Sequence, residues 1–584
     1  MMYTFDKDLT APQHGAATGK GGIPMSKRLR FLLFLAMSVA LAAPALAQRP
    51  EASSLREKAL QMKRNLEKKG FVVREGLYMP WDLGAAYCRG WAETCNLNNH
   101  GVPYHLMVPP PLDGQAPTQS PVLFRLRRDE AIVVVGPTPP TCRYYSYTLY
   151  LYYRWDPRQG RIRKVFDTFS QSTNQLLLKT GGSAFGKNIV LTFTCDKGVD
   201  QDVRDAAKAA GFPGDVLNTY VVPSSALKTN ETLDAMSDTM TIVQRTALAT
   251  GSPNAENPIV LRVTPATPTP AGQLKPFPAP DLRVRGTGKT ETDWTPATEV
   301  LRESILARYP GRTPQEYTTI QYLDQSPIAI QSWGNTLAES SDTTYLGTQE
   351  TFKLSLDPDD FLIVYGVNHA KTEKCLYANL NVYQACALCG VASVFSDDYA
   401  NTAQDYLVGP QPFDPSYLFA YKVARNCNGD PHCLTVPTSN VCGQGASLND
   451  DLTLGFRAYL EPKTKTGPSY TELLYEKVLH FTASPPQVEG LNTSLAGSFP
   501  GSIPVTLHAT SQSPGPLRWK ADFEFIDNPC CGVLEPKEGL VAADGSINFS
   551  FTPNRPGWFY LTVTVSDEMN RQTCGGIEIA SSSP

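Results

Sequence analysis

The sequence is short of histidine, of net charge and of long hydrophobic runs. It has 7 histidines in 584 residues, and its 52 basic and 56 acidic side chains leave a formal net charge of −4. A chain this close to neutral gives no electrostatic case for binding nucleic acid. Beyond one apolar stretch near the N-terminus, hydrophobic runs are short and broken by polar residues, so the mature chain is predicted to have no integral membrane segment.

The apolar stretch near the N-terminus has the pattern of a secretory signal peptide. After Met25, basic residues precede an apolar run from Phe31 to Ala42, and Ala45-Leu46-Ala47 supplies a small-x-small cleavage site before Gln48. We expect residues 25–47 to be the signal peptide and residues 1–24 to be an upstream extension. The sequence therefore predicts export to the periplasm or the medium.

Cysteine is plentiful, with 13 residues, all after the expected cleavage site. In an oxidising compartment such residues usually form disulfides, although an odd count leaves at least one thiol over. A minor alternative is zinc bound by Cys386, Cys389 and Cys433, since thiolates are good zinc ligands. The disulfide candidates are Cys88, Cys95, Cys142, Cys195, Cys375, Cys386, Cys389, Cys427, Cys433, Cys442, Cys530, Cys531 and Cys574.

Two stretches of the sequence match at nearly constant spacing. Residues 122–136 and 352–366 align at an offset of 230, which pairs Val134 with Val364; after a three-residue insertion, Cys142 pairs with Cys375. Because the order of the segments agrees, the pattern predicts two diverged copies of one unit. Residues 298–306 and 471–479 both have helical spacing, and residues 187–222 favour a strand–helix–strand unit. We therefore predict a mixed α+β fold with two α/β modules in tandem.

The last hundred residues have short alternating strands separated by turn residues. Their closing segment has Pro556-Gly557 followed by an alternating apolar face and an aspartate. It resembles the closing strand of bacterial immunoglobulin-like and PKD-type β-sandwich domains, which implies a spacer or adhesive module. The matching residues are Pro556, Gly557, Phe559, Leu561, Val563, Val565 and Asp567.

The expected organisation follows from these patterns. The main body is similar to uncharacterised exported bacterial proteins of unknown activity that share a Cys-Arg-Tyr-x-Ser strand, so this resemblance implies nothing about function. The expected segments after the signal peptide are an N-terminal helix at 48–70, modules at 71–280 and 281–483, and an all-β immunoglobulin-like sandwich at 484–584.

The two matched strands carry unusual tyrosine faces. Side chains alternate along a strand, so one face of each copy carries two tyrosines with two polar residues between them. The favoured interpretation is a face that packs under another layer, with its hydroxyls hydrogen-bonded. The alternative is an open aromatic groove that binds a glycan or peptide, for which the candidate residues are Tyr144, Tyr150, Tyr377, Asn379, Asn381 and Tyr383.

No catalytic motif stands out. His369 lies in a loop near the three-residue insertion and is the first candidate for a catalytic role, but no Ser-His-Asp or Cys-His set is visible from spacing. The leading hypothesis is an exported, disulfide-stabilised binding or surface-structural protein without catalytic activity, whose partner is a cell-envelope glycan or peptide. The alternative is an exported hydrolase with its site between the modules near His369.

Overall fold

A computed structural model describes the chain from Arg49 onward. The chain divides into two units, Met1–Glu57 and Lys58–Pro584, and helix α1 is the twenty-residue segment Arg49–Lys68. The expected signal peptide and the adjacent cysteines Cys530 and Cys531 lie outside the described residues. The described residues are 49–251, 256–310, 312–322, 335–356, 358, 360–481, 488–489, 494–510, 516–523, 532–554, 556–566 and 572–582.

The first sandwich consists of two β-sheets built from strands β1 to β11. The outer sheet has the order β1-β11-β4-β8-β9, and the inner sheet has the order β2-β3-β10-β5-β6, with the short β7 paired to β5. The strands are β1 Phe71–Glu75, β2 Leu77–Trp81, β3 Tyr104–Val108, β4 Ala131–Pro137, β5 Tyr144–Asp156, β6 Arg161–Thr168, β7 Thr173–Asn174, β8 Asn188–Thr194, β9 Leu217–Val221, β10 Thr239–Ala247 and β11 Ile259–Pro265.

The second sandwich also has two sheets. Its outer sheet has the order β12-β21-β15-β18-β19, and its inner sheet has the order β13-β14-β20-β16-β17. The strands are β12 Gln315–Tyr317, β13 Thr319–Gln321, β14 Thr343–Thr348, β15 Phe361–Val367, β16 Tyr377–Gln384, β17 Cys389–Phe395, β18 Leu418–Ala424, β19 Cys433–Thr435, β20 Leu452–Tyr459 and β21 Lys477–Phe481.

The two sandwiches have the same strand order. Taking strands in chain order, β4 occupies the central position of its outer sheet as β15 does, and β5 corresponds in the same way to β16. Each outer sheet ends in one parallel pair, β8 with β9 and β18 with β19, whereas the other described pairs of these sheets are antiparallel. Val134 and Val364 therefore lie on equivalent central strands.

Helices cover the outer faces of both sandwiches. The remaining helices are α2 Leu83–Cys88, α3 Lys197–Ala209 and α4 Thr295–Arg308. In the second sandwich, Leu301 and Ile305 of α4 pack in one cluster with Phe361 and Leu479 from the outer sheet. In the first, Asn65 of α1 donates a hydrogen bond to a carbonyl of α3, 3.1 Å away.

The third sandwich closes the chain with two sheets, in the orders β22-β24-β28-β26 and β23-β30-β29-β25-β27. Four side chains predicted to share a face, from Phe559 to Val565, do lie in its hydrophobic core. Its strands are β22 Val488–Glu489, β23 Ser494–Ser498, β24 Ile503–Ala509, β25 Arg518–Phe523, β26 Gly532–Glu535, β27 Glu538–Leu540, β28 Ser546–Pro553, β29 Gly557–Ser566 and β30 Gln572–Ser582.

The predicted α+β fold with α/β modules is wrong, because the chain is β-rich with six sheets and few helices. The strand–helix–strand unit exists as β8, α3 and β9, but antiparallel strands make up most of each sandwich. The predicted helix at 471–479 is a short 3₁₀ turn followed by β21. There, Val478 faces the sandwich core and Leu479 faces α4. A strand buried on both faces has a continuous apolar pattern that resembles a buried helix.

Candidate ligand cavity between the two sandwiches

The tyrosine faces form the junction between the first and second sandwiches. The ring of Tyr144 lies 6.1 Å from that of its sequence match, Tyr377, and 5.0 Å from that of Tyr459. Tyr377 and Tyr459 stack with centroids 4.6 Å apart. All six residues proposed as a groove are buried: Tyr144, Tyr150, Tyr377, Asn379, Asn381 and Tyr383. In this structure these side chains leave no surface to a ligand, so they form a layer contact and not an open groove.

Hydrogen bonds across the junction satisfy many of the buried polar groups. The Tyr144 hydroxyl lies 3.0 Å from Asp342 Oδ2 of the second sandwich. Asn99 of the first sandwich donates to the hydroxyl of Tyr377 at 3.3 Å, and Asn379 donates to Asn99 Oδ1 at 2.6 Å. The backbone amide of His100 donates to Asn381. The polar residues between the tyrosines therefore serve to join the sandwiches.

One arginine in each inner sheet occupies an equivalent position. Arg245 lies opposite Ser146 in its sheet, and Arg457 lies opposite Asn379, the sequence match of Ser146. Arg245 donates to the hydroxyl of Tyr150 at 2.5 Å, and Arg457 donates to that of Tyr383 at 2.8 Å. Each also donates to a carbonyl of the opposite sandwich, Ala338 and Leu97 respectively. The junction thus has approximate two-fold symmetry.

The loops that supply those two carbonyls have matching backbone conformations. Asn96 and Leu97 have φ of +50° and +51°, and Leu337 and Ala338 have φ of +52° and +61°. Left-handed backbone at non-glycine residues is costly and persists where the surroundings impose it, frequently at binding sites. Each loop crosses to the partner sandwich just before β3 or β14.

A cavity of about 130 Å³ lies where these loops meet the inner sheet of the first sandwich. Leu106 and Val243 contribute to its apolar wall, and the arginines Arg245 and Arg457 both line it. Trp91 also lines it and is 62% exposed. The aromatic side chains of the lining are Trp81, Trp91, Tyr104, Tyr152, Tyr153, Phe166 and Tyr345.

Two buried polar atoms of the lining have no hydrogen-bond partner among the described residues. They are Arg457 Nε and Thr241 Oγ1, on side chains 5% and 3% exposed. Neither Arg245 nor Arg457 has a carboxylate within ion-pair distance in the described part of the chain. The burial of Tyr459 would raise its phenol pKa, but Arg457 and Arg245 lower that pKa further than burial raises it. The cavity therefore has a positive potential.

Four disulfides form among the described residues, and two of them join the first and second sandwiches beside the cavity. The segment between Cys88 and Cys95, which carries Trp91, is tied at each end to the second sandwich. Cys574 of the third sandwich pairs with Cys386 of the second. The disulfides are Cys88–Cys442, Cys95–Cys389, Cys386–Cys574 and Cys427–Cys433, and the free thiols of Cys142, Cys195 and Cys375 are buried.

The zinc alternative does not fit this arrangement. Cys386, Cys389 and Cys433 belong to three different disulfides and do not converge. A disulfide sulfur has no thiolate to offer a metal. No cluster of His, Cys, Asp and Glu suited to a metal ion occurs among the residues that the structure describes.

His369 is buried at 1% exposure and does not line the cavity. Its Nδ1 lies 2.8 Å from Glu291 Oε2, and its Nε2 lies 3.2 Å from Glu476 Oε1, close enough to pair but poorly aligned for a hydrogen bond. Burial lowers the pKa of His369, but the two glutamates outweigh it and raise that pKa to about 10. The imidazole is therefore protonated at neutral pH, which suits a structural ion pair better than a general base.

Reasoning from the sequence missed the two arginines and the cavity. A usable signal was present, because "QRTAL" ending at Leu248 and "FRAYL" ending at Leu460 share Arg and Leu at the same spacing in the two halves. An arginine in an apolar strand, repeated at the equivalent position, indicates a buried charge with a specific partner.

Comparison with known proteins gives no family. No family model matches the sequence, and no curated protein matches it. An uncharacterised protein from Burkholderia cenocepacia is similar over 73% of this chain and 88% of its own length, at 11% identity and a TM-score of 0.32. The PKD domain of the KIAA 1837 protein matches 18% of this chain and 91% of its own length, at 18% identity and a TM-score of 0.13. The titin M3 domain matches 17% of this chain and 96% of its own length, at 14% identity and a TM-score of 0.13. These scores are too low to carry an argument, although the β-rich architecture is compatible with the resemblances seen in the sequence.

Proposed function

We propose that the chain is an exported binding protein whose ligand site is the cavity between the first and second sandwiches. The observation that carries the proposal is an aromatic-lined cavity of about 130 Å³ at the junction of two sandwiches. Small-molecule sites are concave and mostly apolar, have a few placed polar groups, and favour such junctions. In this proposal the two sandwiches arose by tandem duplication, and the third is an immunoglobulin-like spacer.

The cavity volume limits the part of the ligand that enters it. An apolar protein cavity of about 150 Å³ holds one benzene ring, so about 130 Å³ suits a single six-membered ring. Aromatic walls suit either a sugar face or a phenyl group. The remainder of a larger glycan or peptide would pass the exposed indole of Trp91.

The disulfides are compatible with export, and no helix among the described residues is long and apolar enough to cross a membrane. Expressing the full sequence in a Gram-negative bacterium and sequencing the N-terminus of the periplasmic product tests the export step. We expect the product to begin at Gln48. A chain that stays in the cytoplasm with its N-terminus intact would contradict it.

Ligand-induced thermal shifts test the site, because a compound that binds only the folded state raises Tm. The probes are single-ring compounds: glucose, glucuronate, 4-hydroxybenzoate and 4-hydroxybenzyl alcohol. We expect at least one to raise Tm, a smaller shift in Trp91→Ala, and an unchanged shift in the control Trp558→Ala, whose indole is 51% exposed in the third sandwich. No shift with any probe, or equal shifts in the wild type and both variants, would overturn the proposal.

A further inference from the structure

We propose that the ligand of this cavity is an acid: a six-membered ring bearing a carboxylate that meets Arg457 Nε and Thr241 Oγ1. This inference rests on the proposed function and deepens it by naming the ligand class. Both donors are on side chains that are more than nine-tenths buried, line the cavity and lack a partner for these atoms among the described residues.

Two buried positive charges lie at the cavity wall. Arg245 and Arg457 are 6% and 5% exposed, and among the described residues no carboxylate pairs with either guanidinium. Among the other buried arginines, Arg262 pairs with Glu130 at 2.9 Å and Arg154 pairs with Asp238. Arg125 and Arg425 instead donate to backbone carbonyls. An uncompensated buried charge is expensive. A ligand anion in the cavity would therefore supply a counter-charge that the carboxylates of the described chain do not give these two arginines.

The cavity wall offers hydrogen-bond donors to a ligand. Three of the five N–H groups of Arg457 donate to Tyr459, Tyr383 and a backbone carbonyl, which leaves the Nε–H and one Nη1–H as available donors. The Thr241 hydroxyl can donate a second hydrogen bond. A ligand carboxylate accepts several hydrogen bonds at once and supplies the missing charge.

Apolar side chains surround those donors. Trp81, Tyr152, Phe166 and Val243 give the cavity apolar walls that fit one ring. A free inorganic anion would fill the charged end and leave these walls without contacts. A ring with an attached carboxylate contacts both the charged end and the apolar walls. Two kinds of ligand have this chemistry: a uronic acid residue of a glycan and an aromatic acid.

Matched pairs of compounds test the inference by calorimetric titration of the full mature protein. The pairs are glucuronate with glucose, and 4-hydroxybenzoate with 4-hydroxybenzyl alcohol, each differing in the carboxylate. We expect one acid to bind roughly tenfold or more tightly than its neutral partner, since a charge-assisted hydrogen bond contributes that much discrimination. The pair that shows the difference identifies the source of the ligand.

Two threonines provide a matched control. Thr241 and Thr343 are both buried, and neither hydroxyl has a partner in the part of the chain that the structure describes, but Thr343 does not line the cavity. Thr241→Val should weaken binding of the acid several-fold and reduce its advantage over the neutral compound, whereas Thr343→Val should leave both affinities unchanged. Equal effects of the two substitutions would contradict the assigned contact.

The remaining outcomes separate this inference from the proposed function. If acid and neutral compounds bind equally, the ligand class is wrong while the site stands. If none binds, the proposed function fails and the inference fails with it. If the free protein absorbs as a tyrosinate at neutral pH, Tyr459→Phe abolishes this absorbance and acids bind no better than neutral compounds, then the Tyr459 phenolate is the counter-ion and the inference is overturned.

Discussion

The two sandwiches share a strand order but fill equivalent positions differently. In the first, Leu106 and Val243 are directly opposed on neighbouring strands and line the cavity. The equivalent pair in the second is Gly347 and Gly455, also directly opposed. Tyr322 occupies the space that these glycines leave. A Cβ added at Gly347 would lie 2.6 Å from its ring, and one added at Gly455 would lie 2.9 Å from its hydroxyl.

This difference shows how one architecture can hold both an open site and a filled one. Tyr322, directly after β13, is the equivalent of Trp81 at the end of β2. The residue before each, Gln321 or Pro80, pairs with equivalent positions on β14 and β3. Trp81 stands beside larger neighbours and borders a cavity, whereas Tyr322 lies over two glycines. Protein interiors are close-packed. Different residues at these three pairs of positions therefore leave a cavity in the first sandwich and fill the equivalent space in the second.

The sandwiches also differ in the loop after β4 and β15. The first has the uncharged segment 137–141, and the second has His369 between two glutamates. We expect His369→Gln to destabilise the protein by about 3–5 kcal/mol at pH 7, because Glu291 and Glu476 would lose their buried counter-charge.

The pH dependence follows from the raised pKa of His369, about 10 in the folded state. The stabilisation is complete below the unfolded-state pKa of about 6.5 and is lost as pH rises through about 10. Urea unfolding of wild type and variant at pH 7 and at pH 10 measures this. The difference between them should shrink at the higher pH, and a difference that stays constant would rule out the ion pair as its source.

Removing the Tyr322 side chain should destabilise the protein less than His369→Gln does. We expect Tyr322→Ala to lower the free energy of unfolding by about 2–3 kcal/mol, below the about 3–5 kcal/mol of a fully buried aromatic because Tyr322 is half-buried. Trp81→Ala at the equivalent position should cost less than Tyr322→Ala, since Trp81 already borders empty space. Chemical denaturation of both variants measures the two losses. A larger loss for Trp81→Ala would contradict the view that the first sandwich has a cavity where Tyr322 fills the second.

The packing of the tyrosine faces under another layer could be predicted from the sequence, whereas the fold class could not. Alternation along β16 places Ala378, Leu380 and Val382, on the face opposite the tyrosines, in the sandwich core. The error came from β21, where burial on both faces hides the two-residue period, and from generalising one strand–helix–strand unit to whole modules. Local patterns identify strands, but the layer that each face meets is decided by contacts distant in sequence.

Most of the candidate site could not be predicted from local sequence patterns. Trp91, Thr241 and Arg457 are far apart in the chain and meet because the sandwiches dock on their tyrosine faces. The sequence did show that the two matched strands carry those faces, and it favoured packing under another layer. Nothing local to Thr241 or Arg457 indicates that one polar atom of each is left without a partner.

A smaller effect is expected from filling the space over the second inner sheet. Gly455→Ala would bring a methyl group to 2.7 Å from the ring of Tyr383 and 2.9 Å from the Tyr322 hydroxyl. Such overpacking costs about 1–3 kcal/mol, and part of it is offset because alanine restricts the unfolded chain. We expect a net loss of about 1–2 kcal/mol by urea unfolding. On a Tyr322→Ala background the loss should be smaller, and an equal loss in both backgrounds would show that Tyr322 is not the obstacle.

The smallest effect should come from the exposed ion pair between the sandwiches. Arg143 lies 3.0 Å from Asp397, and both side chains are about half exposed. Exposed pairs contribute about 0–1 kcal/mol and are screened by salt, so Arg143→Ala should cost less than 1 kcal/mol, and the cost should vanish in high salt. Thermal unfolding at low and high ionic strength measures it. A loss of several kcal/mol, or one insensitive to salt, would mean that the edge of the junction holds the sandwiches together. A small loss places that role with the buried tyrosine faces and the two disulfides, which are the features that also shape the cavity.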